Sequence, residues 1–407
     1  MTFFRLHYLL ILATCFLPVV AAEDSYIDEE GWVVVSRNTG YPEKDPPKRL
    51  RLEDCSWKDF STHILKDNCL EELWLWSVTL PEELGQWGDD LSMLTALTHV
   101  SIGYGTSTPE VITQLARAKA LTSLSLQWAH VTANVAIPIS KLTKLRSLDV
   151  SYLASDFGAK NLETMVAHGG ITSLALRGPS FNNGDLSRLL KHCSLHALSL
   201  HGTLRLSHDD YKSVAAQALL TSLELGGTSP TDEDLSVLGC LKLTSLTIST
   251  LLNASDDGIA ALLSVLPLRE LNLTLGKQIS GSFLKDLGKA ADLSHLTISA
   301  HGKDPLSITP IKDLHALQWV QLVGSRVCID SSLAVLTKLS SLKEVRLVGG
   351  DSLSKEAILR LASSKSITSI WISLLRQFTL DELHNIHSGL VSGFGDRKVS
   401  IWLSRSS

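Results

Sequence analysis

Two kinds of side chain recur in this sequence at spacings that a metal site or an enzyme could use. His384 and His387 are one helical turn apart, a spacing found among metal ligands, but the sequence places no third ligand beside them. Four aspartates could hold a cation, although each lies at the start of a predicted helix, where N-capping is the favoured interpretation: Asp232, Asp234, Asp256 and Asp257. The sequence also lacks the nucleophile, zinc-protease and phosphate-loop motifs of common enzymes. We therefore predict no catalytic residue, no metal site and no cofactor.

Composition limits the remaining classes of function. The chain has 407 residues, of which 44% are hydrophobic and 19% charged, so it has the composition of a folded protein. Its formal net charge is −5, which gives no electrostatic reason to expect a nucleic-acid partner or an anionic membrane surface. We therefore expect a protein that does not bind nucleic acid.

The first 22 residues have the pattern of a secretory signal peptide. Arg5 is followed by an apolar run from Leu9 to Ala22, and small residues precede Glu23 at the positions read by a signal peptidase. This run of about 14 residues is short for a membrane span, which needs ~20. We predict cleavage before Glu23, export to the periplasm or the extracellular space, and no membrane span in the mature chain. An uncleaved anchor and lipidation at Cys15 are the alternatives.

The pattern apolar-x-x-apolar-x-apolar recurs along the rest of the chain. Thirteen clear copies lie between residues 70 and 372, with degenerate copies at 50–52 and 401–403. From Leu73 to Ile370, twelve steps cover 297 residues, about 25 residues per step. Each copy alternates as a short strand does. A single copy cannot bury its apolar face alone, so the pattern predicts that neighbouring copies stack.

A helical pattern lies between the strand motifs. Ser255 precedes an apolar series that starts at Ile259 and continues at the i+3, i+4 and i+7 positions. Thr231 and Thr379 begin segments with the spacing of a capping box, and Thr108 precedes a proline at a predicted first helical position. Each repeat is therefore predicted to run strand, loop, helix, loop.

These motifs resemble the leucine-rich repeat family over residues 48–404, with likeness to its bacterial and cysteine-containing, ribonuclease-inhibitor-like subtypes. The resemblance implies an α/β solenoid of about 13–15 repeats, curved as a horseshoe, with a concave parallel sheet and helices on the convex side. Residues 23–47 precede the repeats, and we interpret them as an N-terminal cap or flank, because the terminal apolar face of a solenoid needs covering.

The residues between the motif leucines form outward columns on the strands. These columns are aromatic toward both ends of the repeats and small or hydroxylic in the middle. Exposed tryptophan and arginine commonly anchor interfaces. The candidate ligand-binding residues are therefore Trp74, Trp76, Trp128, Trp319, Arg346, Trp371 and Trp402. The alternative is that the terminal tryptophans stack on one another or lie beneath flanking segments.

Two further features depend on export. Cys55 and Cys69 lie close together at the start of the repeats and are a possible disulfide. Asn253 and Asn272 begin Asn-x-Ser/Thr sequons, which are possible N-glycosylation sites in a eukaryotic host. A glycan at Asn272 would obstruct the middle of the concave face.

The leading interpretation is a secreted, non-catalytic scaffold that recognises a protein or a glycan through its concave face. We expect a monomer. One alternative is an envelope or matrix component that associates with itself through its exposed final strand. Another is an enzyme with an unrecognised site on the concave face.

Overall fold

The structure is a computed structural model that describes residues 26–404, apart from short gaps. The gaps are at positions 29, 38, 40, 43–45, 105–107, 128–130, 152–157, 179–183, 203–205, 288–289, 350–351, 374–376, 396 and 398. Residues 1–22, the predicted signal peptide, lie outside the described residues. Packing divides the chain into two compact units, residues 1–124 and 125–407.

The first unit alternates strands and helices. Its strands are β1 (Tyr26–Ile27), β2 (Val33–Ser36), β3 (Arg49–Glu53), β4 (Glu72–Trp76) and β5 (His99–Gly103). Its helices are α1 (Trp57–Asp67), α2 (Leu84–Met93) and α3 (Pro109–Leu115). Strand β1 pairs antiparallel with β2, and β2 to β5 pair in chain order as parallel neighbours. The segment assigned to the N-terminal flank, residues 23–47, therefore contributes two strands, β1 and β2, to the sheet of this unit. A further strand, β6 (Ser123–Gln127), spans the boundary between the units.

The second unit repeats the same alternation. Its strands are β7 (Ser147–Ser151), β8 (Ser173–Arg177), β9 (Ala197–His201), β10 (Ser222–Gly226), β11 (Ser245–Leu251), β12 (Glu270–Leu275), β13 (His295–Ala300), β14 (Trp319–Val323), β15 (Glu344–Val348), β16 (Ser369–Ser373) and β17 (Ser400–Leu403). Its helices are α4 (Ala136–Ser140), α5 (Ala159–Val166), α6 (Asp185–Leu190), α7 (His208–Ala215), α8 (Asp232–Leu238), α9 (Asp256–Val265), α10 (Leu284–Leu287), α11 (Asp330–Leu336), α12 (Lys355–Arg360) and α13 (Leu380–Phe394). Short 3₁₀ turns lie at Ala133–Val135, Thr309–Asp313 and Leu361–Ser363.

Strands β7 to β17 pair in chain order, and every pair is parallel. The register aligns equivalent motif positions, so Leu271 of β12 lies beside Leu246 and Leu296. Because side chains alternate along a strand, both motif leucines of each repeat enter the core; Leu271 and Leu273 are each at most 2% exposed. The core of each unit is therefore a stack of aliphatic side chains between its strands and helices.

The helix starts confirm the predicted caps. Thr108, Thr231 and Ser255 each accept a backbone hydrogen bond three residues further on, and Thr231 and Thr379 form complete capping boxes. None of the described helices is both long enough and apolar enough to cross a membrane.

One buried arginine connects several repeats of the second unit. Arg326 is 5% exposed, and its guanidinium donates to the carbonyl oxygens of Asp304 at 2.9 Å, Gly276 at 3.2 Å and Ile279 at 2.8 Å. Buried carbonyl groups need donors, and the planar guanidinium provides several at once. Arg326 thus satisfies loop backbone from two preceding repeats.

Candidate functional site

The residues between the motif leucines lie on the sheet surface opposite the helices. In β12, Glu270 and Asn272 are half-buried on this surface, while Leu271 between them is in the core. We call this surface the open face and describe it separately in each unit. It contains the aromatic columns predicted from the sequence.

Four residues of the second unit form a cluster that we call the C-terminal aromatic patch: Trp319, Arg346, Trp371 and Trp402. The Arg346 guanidinium lies 5.8 Å from the ring centre of Trp319 and 5.5 Å from that of Trp371. The rings of Trp371 and Trp402 are 4.8 Å apart with an angle of 31° between their planes. Cation–π contact and ring stacking each hold these side chains in place.

The C-terminal aromatic patch remains accessible to a partner. Trp402 is 48% exposed, Trp319 and Trp371 are half-buried, and His295 continues the row at 6.1 Å from Trp319. Arg346 also forms an ion pair with Glu344 at 2.5 Å, and both side chains are about one third exposed. The sheet therefore presents a preorganised surface of aromatic rings with one arginine and one carboxylate.

The first unit has a second cluster, which we call the N-terminal aromatic patch: Trp32, Trp74, Trp76 and Tyr104 with Arg49 and Arg51. Adjacent rings meet edge to face at 5.8, 6.0 and 4.8 Å along this order. Arg49 lies 4.5 Å from the ring centre of Trp32, and Arg51 lies 4.0 Å from that of Trp74.

The two predicted tryptophans of the N-terminal aromatic patch differ in accessibility. Trp74 is 7% exposed because Trp32, from the flanking segment, packs against it, as the alternative interpretation anticipated. Trp76 is half-buried, and Tyr104 beside it is 53% exposed. Trp74 therefore supports the patch, while Trp76 and Tyr104 present its accessible area. Sequence reasoning missed Trp32, which precedes the recognised repeats, and Arg49 and Arg51, which lie beside and within a degenerate copy.

A polar network occupies the middle of the open face in the second unit. One carboxylate oxygen of Glu224 accepts from the Ser199 hydroxyl at 2.8 Å, and the other lies 2.8 Å from Nε2 of His201. Burial raises the pKa of Glu224, but the hydrogen bond and charge of His201, the Ser199 bond and the Arg177 charge together lower it below its usual value. A Cβ at Gly226, the next position in register, would overlap the His201 ring, so glycine makes room for the network.

Among the comparisons with known proteins, one solved structure supports the fold. No protein-family model matches the sequence, and no curated protein sequence matches it significantly. A chain in the crystal structure of the Rad7 and Elc1 complex of yeast is similar to it, with a TM-score of 0.53, 15% identity and coverage of 73% of this chain and 84% of that one. The internalin InlF of Listeria monocytogenes has a TM-score of 0.41 and 17% identity, with coverage of 84% and 82%.

The fold is that of a leucine-rich repeat protein. The parallel strands, the alternating helices and the register of the motif leucines agree with this assignment, so the fold class predicted from the sequence is confirmed. The positions of the remaining predicted residues are therefore described within the leucine-rich repeat fold.

The possible disulfide between Cys55 and Cys69 is not formed in this leucine-rich repeat structure. Cys55 and Cys69 are both free thiols. Cys55 is buried, and burial raises the pKa of its thiol to about 11, so it is protonated at neutral pH. The Cys69 sulfur instead contacts the carbonyl oxygens of Pro46 and Pro47 at 3.6 and 3.7 Å.

The two sequons lie in different parts of the leucine-rich repeat fold. Asn253 is exposed in the loop before α9, where its amide donates to the carbonyl of Ser229 at 3.1 Å. Asn272 is half-buried on the open face between Thr247 and Thr297. Trp128, the remaining candidate, lies outside the described residues.

The candidate metal ligands either hydrogen bond to helix caps or are not grouped with further ligands. Both carboxylate oxygens of Asp232 accept from Ser255, the cap of the next repeat, at 2.7 and 2.6 Å, and Asp234 completes the capping box of its own helix. Asp232, Asp256 and Asp257 border a pocket of about 400 Å³ beside α9. Within the described part of the chain, no group of three or more histidine, cysteine or acidic residues is arranged to hold a metal, and this includes His384 and His387.

Proposed function

We propose that this leucine-rich repeat protein is a non-catalytic scaffold that is exported and recognises a protein partner through its open face. The C-terminal aromatic patch is the anchor of that recognition. The observation that carries the proposal is the arrangement of Arg346 between Trp319 and Trp371, with the half-exposed Trp402 beside them.

The composition of the patch supports a role in binding. Tryptophan and arginine are the residues most often responsible for binding energy at protein interfaces. Here the neighbouring strands hold them in place, so a partner does not have to pay the entropy of ordering them. A surface of stacked rings with one paired charge suits a partner that presents apolar or aromatic side chains with a polar rim.

The fold and the polar network in the middle of the open face both support a role in binding rather than catalysis. Yeast Rad7 and Elc1, one chain of which shares this fold, form a complex in their crystal structure. The Ser199 hydroxyl donates to Glu224 rather than to an imidazole base, so this network does not provide an activated nucleophile. Glycan recognition by the same rings is the alternative that the binding experiment distinguishes.

The test compares capture by the chain and by a Trp319→Ala/Trp371→Ala variant. We expect the variant to lose at least ~10-fold in affinity for a partner recovered from the extracellular milieu, while its free energy of unfolding changes by about 1 kcal/mol or less. A Ser147→Ala/Ser173→Ala variant, on the open face but far from the patch, is the matched control and should retain binding. Titration calorimetry with the recovered partner and denaturant unfolding provide the two readouts.

Two outcomes would contradict the proposal. If the tryptophan variant binds the recovered partner as tightly as the wild type, the patch is not the anchor. If the variant loses stability to the same extent as affinity, the tryptophans are structural. Selective loss of binding to a glycan array would instead assign the patch to glycan recognition.

A further inference from the structure

The last strand of the second unit has an edge that no other described strand covers. Strand β17 pairs with β16, which places Ile401 beside Ile370 and Leu403 beside Ile372. The two β16 residues are at most 1% exposed, whereas Ile401 and Leu403 are half-exposed, and Trp402 is 48% exposed. An edge of this kind is a template for pairing with another strand.

The hydrogen bonds to β16 show which backbone groups face that edge. The amide of Ser400 donates to the carbonyl of Thr368 and the amide of Ser404 to that of Ile372, each at 2.9 Å. Backbone direction alternates along a strand, so Ile401 and Leu403 turn their N–H and C=O groups away from β16. These are the groups that a new strand would bind.

The sequence of the edge is self-complementary. Residues 400–404 read Ser-Ile-Trp-Leu-Ser, a pattern of side-chain types that is the same in both directions about Trp402. Antiparallel pairing of two copies about a twofold axis at Trp402 places Ile401 opposite Leu403 and Ser400 opposite Ser404. Twofold pairing requires a patch that matches itself, and this one does.

The backbone agrees with the same register. Ile401 and Leu403, whose polar groups face outward, become the pairs that exchange both hydrogen bonds in this arrangement. Trp402 then meets its copy at a non-hydrogen-bonded position, where opposite Cα atoms approach to about 4.5 Å and side chains are closest. The backbone direction thus permits the register that the side-chain pattern selects.

The edge strand itself carries no charge that would oppose pairing with a second copy. Residues 399–404 contain no ionisable side chain. Exposed edges are usually protected by lysine, proline or inward-pointing charges, and like charges opposite each other destabilise a strand pair. Two copies of β17 bring no such repulsion.

We propose that the edge of β17 binds the same edge of a second copy of this chain, in antiparallel register about Trp402. The pairing places the C-terminal aromatic patches of the two copies side by side, because Trp402 belongs to both the edge and the patch. A dimer of this kind would offer a partner a surface of twice the aromatic area. This inference replaces the monomer expected from the sequence and does not depend on the proposed partner recognition.

The first test measures association of the full chain by sedimentation velocity from about 1 µM to about 1 mM. We expect a concentration-dependent shift from monomer to dimer. Leu403→Pro removes an amide that faces outward and leaves the bonds to β16 intact, so it should raise the dissociation constant by about tenfold or more. Leu403→Ala also shortens the side chain but keeps the amide, and it should weaken association less.

The second test identifies the register and does not depend on how Leu403→Pro folds. Ser400→Cys and Ser404→Cys lie opposite each other across the proposed axis, within the range of about 4.4–6.8 Å between Cα atoms that a disulfide spans. We expect mild oxidation of a mixture of the two single variants to give a covalent dimer. Each variant alone should give no more dimer than the wild type, whose Cys69 and Cys240 provide the background in every sample.

Three results would overturn the proposal: a monomer throughout the concentration range, equal association of the Leu403→Pro and wild-type chains, or cross-linking of either single-cysteine variant alone. Failure of these tests would leave recognition of a partner by Trp319 and Trp371 unaffected. The Trp319→Ala/Trp371→Ala variant should, conversely, still dimerise.

Discussion

Glu224 shows how a carboxylate is kept charged on the open face. The Glu224 carboxylate is largely buried, and burial by itself would raise its pKa and favour the protonated acid. The contacts with His201, Ser199 and Arg177 outweigh that effect and lower the pKa. Because the pKa is lower in the folded chain than in the unfolded chain, ionised Glu224 stabilises the fold at neutral pH. This contribution is lost as the pH falls from the unfolded value of about 4.3 through the lowered pKa.

Replacement of Glu224 by glutamine should therefore have an effect that depends on pH. We expect Glu224→Gln to reduce the free energy of unfolding by about 1–3 kcal/mol at pH 7, because a buried bond to a charged group is weakened. The difference from the wild type should shrink as the pH falls below about 4.3. Urea unfolding across this pH range measures it, with the exposed Glu233→Gln as the control for net charge. A difference that does not vary with pH would contradict the assignment.

Hydrogen bonds connect the helix caps of adjacent repeats. Asp232 and Asp330, each at the first helical position, accept from the backbone amide and hydroxyl of the cap serine in the next repeat. Asp256 accepts from the amides of Ser280, Gly281 and Phe283 at 2.7, 2.9 and 3.3 Å. The pKa of Asp256 is correspondingly lowered, since these bonds outweigh the effect of its burial. Each of these aspartates therefore stabilises the segment where the helix of the next repeat begins, in addition to the first turn of its own helix.

Asp256 and Asp257 provide a matched comparison of these effects. Both are acids in the first turn of α9, but Asp257 is exposed. We expect Asp256→Ala to lower the free energy of unfolding by about 1–2 kcal/mol, and Asp257→Ala by only about 0.3 kcal/mol through the helix dipole. Thermal or urea unfolding of both variants measures the difference. Equal costs would show that the contacts with the next repeat contribute nothing.

The repeat pattern accounts for the fold but carries no information on where the protein is located. Export is a proposal that depends on residues 1–22. Expressed in a secretory host, the chain should appear outside the cell with Glu23 as its first residue, because the apolar run is short and precedes small residues. N-terminal sequencing of the secreted protein measures this, and deletion of residues 2–22 should keep the chain inside the cell. Retention of the intact wild-type chain in the membrane would support the uncleaved anchor instead.

The strands and helices of the repeats could be predicted because the strand motif recurs at a constant spacing. Each copy of the strand motif defines a buried and an outward face by alternation, and the capping residues define where the next helix begins. The first two strands were not predicted as strands, since Trp32 to Ser36 lack the spacing of the motif. The pairing of β1 with β2 and of β2 with β3 depends on backbone contacts that no local pattern encodes.

The period, the buried face and the columns of outward residues could all be read from the amino-acid pattern, because they follow from alternation repeated at a constant step. Which outward residues touch was set by the fold of the chain. It placed Trp74 beneath Trp32, put Arg346 between two tryptophans and brought Arg326 to carbonyl groups up to 50 residues away. These contacts depend on side-chain direction and on the spacing of stacked repeats, neither of which is written in a single copy of the motif.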